Sequence, residues 1–73
     1  MSSLNITIPT PHGDVTLPFE QFITLGKYLD QIRAEGKQPV WHPNDCGCCV
    51  SVHPEGEHSG WVIGADGGAD YVE

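Results

Sequence analysis

Residues 18–36 read PFEQFITLGKYLDQIRAEG, and their pattern decides the fold class. Pro18 suits the first position of a helix, where its missing N–H would have no intrahelical partner, and Glu20 in the opening turn complements the positive end of the helix dipole. On a helical wheel Phe19, Phe22, Leu25, Gly26, Leu29 and Ile32 share one broad face, with Glu20, Lys27, Gln31 and Ala34 opposite. Gly36 stands where a left-handed C-terminal cap is wanted, and Pro39 prevents the helix from resuming. The spacing predicts a helix over residues 18–35 whose apolar face covers a sheet.

Upstream of it, Leu4, Ile6 and Ile8 alternate with Asn5 and Thr7, the period of a strand with one buried face. The next six residues, PTPHGD (9–14), are dense in residues that break regular structure, and Val15, Thr16 and Leu17 then resume the alternation. An N-terminal hairpin follows. Downstream, residues 40–42 predict a short strand ending at Pro43. Residues 48–53 and 60–64 predict two more, joined through Pro54, Glu55 and Gly56. A turn at 66–68 precedes a final stretch, 69–73, that forms an edge strand or frays. The expected class is α+β: an N-terminal β-hairpin, one amphipathic helix, then two or three short strands, with the helix packed on a largely antiparallel sheet. In element order this is similar to β-grasp domains. The resemblance is topological, spans most of the chain and contains no diagnostic motif, so it implies nothing about activity.

Seventy-three residues with 38% hydrophobic content suffice for one domain, residues 1–73, near the size at which a single core gives only marginal stability. The net charge of −7 is unevenly placed. Residues 45–73 hold Asp45, Glu55, Glu57, Asp66, Asp70 and Glu73 and no Lys or Arg, whereas Lys27, Arg33 and Lys37 are the only bases of the chain. Nucleic-acid binding needs a basic surface to neutralise phosphates, so that class is set aside. A basic protein partner or a divalent cation suits the charge better. No stretch reads as a secretory signal or a membrane span. Three cysteines cannot all pair within one chain, and together with the missing export signal they point to the reducing cytoplasm.

Chemistry concentrates in WHPNDCGCCVSVHPEGEH, residues 41–58, which holds all three cysteines and three of the four histidines. Thiolate and imidazole are the ligands preferred by a borderline-soft, tetrahedral ion, so Zn²⁺ or a similar soft metal is the implied cofactor. Cys46 and Cys49 have the Cys-x-x-Cys separation, with Gly47 free to make the tight turn between them. If residues 48–53 are extended, Cys49, Ser51 and His53 project to one side of the strand while Cys48, Val50 and Val52 project to the other. His53 then joins Cys46 and Cys49, Cys48 becomes a small core residue, and either His42 or His58 completes the shell. The run Cys46, Cys49, His53, His58 resembles a zinc knuckle, although its middle gap is one residue short and its last ligand is His instead of Cys.

Two other classes compete with this reading. One is an acidic protein-interaction module with inert thiols. The other is a thiol-dependent enzyme or sulfur carrier, to which Cys46-Gly47-Cys48-Cys49 would lend a redox pair and Gly67-Gly68 a carrier terminus after removal of residues 69–73. Against thiol catalysis, redox pairs of the thioredoxin kind sit at a helix N-terminus, whereas Val50, Ser51 and Val52 predict a strand, and nearby acids raise a thiol pKa. The expectation is a non-enzymatic domain. His12 is read as a turn residue and Trp41 and Trp61 as core. No calcium loop, phosphate-binding Gly loop or Ser-His-Asp arrangement is present.

Overall fold

The computed structural model describes residues 4–11, 13–44 and 48–73. Two strands, β1 (Asn5–Thr10) and β2 (Gly13–Pro18), lead into one helix, α1 (Phe19–Ala34). Four further strands follow: β3 (Pro39–Pro43), β4 (Val50–Pro54), β5 (Gly60–Ile63) and β6 (Ala69–Val72). The class is α+β, as the sequence predicts. β1 and β2 form their own two-stranded sheet, and β3 to β6 form a four-stranded antiparallel meander in chain order. The β-grasp resemblance is therefore one of element order, because hairpin and meander belong to separate sheets and are bridged by α1, which contacts both.

The helix ends as its sequence dictates. Gly36 adopts φ +80°, its N–H bonds the Arg33 carbonyl at 2.9 Å, and the Lys37 N–H reaches back to Ile32 O at 3.1 Å. This double closure satisfies carbonyls that the last turn would otherwise leave open.

The buried face of α1 departs from the predicted one. The fully buried positions are Gln21, Leu25 and Ile32, with Tyr28 and Leu29 packed beside the core. Phe19, Phe22 and Ile23 remain 38%, 36% and 42% exposed. The helix is thus rotated away from the two phenylalanines, and two side chains with polar tips account for the rotation. The Gln21 amide donates to Ile63 O at 2.9 Å and to Cys48 O at 3.1 Å. Tyr28 stacks on Trp61, ring centres 4.6 Å apart, and Trp61 meets Tyr71 edge-on at 5.6 Å. A buried amide must find acceptors, and this one finds two backbone carbonyls, one buried and one part-buried.

Leu17 from the hairpin, Leu25 and Ile32 from α1, and Val50, Val52 and Ile63 from the meander make the core. Along β4 burial alternates strictly, with Val50, Val52 and Pro54 buried and Ser51 and His53 between them half-buried. Helix α1 covers the first set. The register pairs His42 with Ser51, Val40 with His53 and Ser51 with Val62, so these residues share the opposite face.

Candidate functional site

The 41–58 segment is laid out along β3, the connection to β4, β4 itself and the loop before β5. The connection closes where the Asn44 N–H donates to Cys49 O at 2.9 Å. Asn44 is itself fixed by its side chain, whose Oδ1 accepts from Ser51 Oγ at 2.9 Å. With the Cys48 carbonyl held by Gln21, both carbonyls of the Cys48–Cys49 dipeptide are anchored, one from the helix and one from the end of β3.

Cys48 is exposed and Cys49 half-buried, so Cys48 is not the small core residue expected from alternation. The strand begins only at Val50, and the period-2 argument does not extend to a residue two positions before it. Instead the two sulfurs lie 3.7 Å apart. Cys46 lies outside the described residues, as does His12.

The imidazoles gather elsewhere. His42, Ser51, His53, Glu57, His58 and Gly60 help line one concavity of about 240 Å³ on the open face of the meander. His42 and His53 are diagonal neighbours across β3 and β4, their ring centres 6.2 Å apart and the planes inclined by 72°. His53 Nδ1 is 2.8 Å from Pro54 O, and that carbonyl also accepts the Glu57 N–H at 3.1 Å. The loop carrying His58 is tied down further by the Glu55 N–H to Gln38 O bond at 2.8 Å and by the Lys37–Glu57 ion pair at 2.8 Å. Gly60 is required here: a Cβ at that position would collide with the Val52 carbonyl and come within 2.7 Å of His53 Cβ.

Of the expected ligands, then, His42, His53 and His58 share one concavity, while Cys49 lines a different one, beside Cys48, Leu17, Pro18, Gln21 and Val50. Among the described residues no three His, Cys, Asp or Glu side chains are already gathered around one point. The Gly67-Gly68 pair occupies the turn between β5 and β6. There Gly67 has φ +87°, and Thr24 Oγ1 donates to its carbonyl at 2.7 Å. A Cβ on Gly67 would come within 3.0 Å of Glu20 O, so docking of this turn on α1 accounts for the glycine.

Gln21 is the residue that sequence reasoning missed. A polar side chain placed four residues before Leu25 on the same wheel face was the available signal. No protein-family model matches the chain, and no curated protein or solved structure is significantly similar to it. No helix among the described residues is long and apolar enough to cross a membrane.

Proposed function

We propose that this chain is a small, non-enzymatic cytoplasmic metal-binding domain that takes one Zn²⁺ or similar soft ion on the thiolates of Cys48 and Cys49, with Cys46 as a further sulfur ligand. The separation of the two sulfurs carries the reading. Two thiolates at about 2.3 Å from a tetrahedral ion stand roughly 3.7 Å apart, and the thiol–thiol hydrogen bond between Cys48 Sγ and Cys49 Sγ already holds the two sulfurs at 3.7 Å. The anchoring of both carbonyls supports it, since a dipeptide fixed at its backbone loses less conformational freedom when its sulfurs are captured. The negative charge of the C-terminal part favours a cation in the same region.

Native mass spectrometry with elemental analysis, on protein purified without added metal or chelator, tests the proposal. One zinc per chain is expected, lost on chelation and in C48S and C49S. Protein that neither carries zinc nor takes up Zn²⁺ or Cd²⁺ after reduction, or a C48S/C49S double variant that keeps its metal, would sink it.

A second reading, a protein-interaction module for a basic partner, has one observation in its favour. Phe19, Phe22 and Ile23 form a partly exposed apolar stripe on α1, and such stripes on small domains often mark contact surfaces. Partner capture that weakens with salt and survives C48S/C49S would favour it.

A further inference from the structure

The histidine concavity has a chemistry of its own, independent of the thiols. Because a carbonyl oxygen can only accept a hydrogen bond, the 2.8 Å contact with Pro54 O places a proton on His53 Nδ1. In the neutral ring the lone pair is then on Nε2. Metal-ligating histidines are commonly oriented in this way, the second nitrogen donating to a backbone carbonyl while the first faces the ion. Gly60 leaves the room that the His53 backbone and Cβ need.

The two rings are close to a shared-ion distance. Imidazoles bound to one tetrahedral ion at about 2.0–2.1 Å have ring centres roughly 5 Å apart, against 6.2 Å between His42 and His53. His42 is exposed on the outer strand of the meander, so a side-chain rotation can close the gap. His58, also exposed and lining the same concavity, is within the loop that Glu55 and Glu57 hold in place. We infer that the open face of the meander is a second metal site, taking a divalent transition ion of imidazole preference such as Ni²⁺ or Cu²⁺ on the two-histidine pair of His53 Nε2 and the His42 ring, with His58 beside them in the same concavity. The thiol pair lies in a different concavity and is no part of it. Imidazole suits divalent nickel and copper, whereas the softer thiolates take zinc and monovalent copper in preference to imidazole, so zinc goes to the thiols and the two sites differ in selectivity.

Titration calorimetry with Ni²⁺ on the full chain, in wild type and in a C46S/C48S/C49S variant, tests this separately from the thiol proposal. Equal affinity in the two proteins is expected, with a loss of roughly tenfold or more in H42A and in H53A and a smaller loss in H58A. Paramagnetic broadening by Ni²⁺ should centre on His42, His53 and Gly60 amides. If the triple variant fails to fold, wild-type protein whose thiols are first blocked by alkylation replaces it. Ni²⁺ binding that disappears with the thiols, or that H42A and H53A leave unchanged, overturns the inference. Loss of zinc in C48S with Ni²⁺ binding retained supports both sites. Ni²⁺ binding in a protein that never takes up zinc supports this site alone.

Discussion

Strand β4 separates two faces of very different character. On one side Val50 and Val52 are buried at 1% and 0% exposure under α1. On the other, Ser51 and His53 look onto a concavity lined by histidines. One strand of five residues thus serves both stability and chemistry, and the division is possible only because successive side chains point to opposite faces. The comparison teaches that the covered face tolerates little and the open face much. Substitutions on the helix side should change stability, and those on the open side should change ligand binding.

The largest effect that would break this division is in the helix. Leu25 is 1% exposed at the centre of the core, whereas Phe22, three residues earlier, is 36% exposed. Leu25→Ala should cost about 2–5 kcal/mol, combining lost transfer energy with a cavity. Phe22→Ala should cost about 1 kcal/mol, because much of its ring already meets water. Urea denaturation of the two variants decides between the observed helix rotation and the one predicted from the wheel. A larger loss in Phe22→Ala would restore the predicted face and undo the comparison.

Smaller, but aimed at the joint between the two regions, is Gln21→Leu. The amide links α1 to Ile63 O in the meander and to Cys48 O beside the thiols. Its removal takes donors from one buried and one part-buried carbonyl, and the expected loss is about 1–3 kcal/mol. Amide exchange should quicken around Cys48 and Val50, and Zn²⁺ affinity should fall with it. Stability lost without any change at Cys48 would show that the link serves packing alone.

How far the sequence revealed these features depends on what each signal measures. Alternation at Ile6 and Ile8 and in 50–53 and the Gly36 cap were legible because backbone geometry and apolar periodicity dictate them directly, whereas Leu4, 62% exposed, stands before β1 and off its inner face. The rotation of α1 was not, because a wheel weights Phe19 and Phe22 by apolarity and gives Gln21 and Tyr28 no credit for carbonyl and ring partners that exist only in the fold. The candidate site was legible as a composition, Cys and His within 41–58, and its division into a thiol pair and an imidazole face was not. Pairing register sets that division: His42 opposite Ser51, and Val40 opposite His53, follow from where β3 and β4 meet, which no local spacing encodes.

The smallest expected effect lies at the edge of the open face. Lys37 meets Glu57 at 2.8 Å with both side chains about half exposed. The hydrogen bond from Lys37 to Glu57 and the charge of that carboxylate raise the lysine pKa above its ordinary value. A raised lysine pKa means that the folded state holds the proton more tightly than the unfolded state does. The pair's contribution is therefore fully present below lysine's ordinary range, about pH 10.4, and is lost as pH rises through the folded-state value. Thermal melts of wild type and Lys37→Met should differ slightly at neutral pH and converge at high pH, and at neutral pH 1 M salt should reduce the difference, since exposed pairs are weak and screened. Because Glu57 neighbours His58, the variant also asks whether the loop must be held for Ni²⁺ to bind. Weaker Ni²⁺ binding in Lys37→Met with zinc uptake unchanged would tie this tether to the imidazole face alone, whereas an equal loss of both metals would mean that the two faces are coupled through the fold.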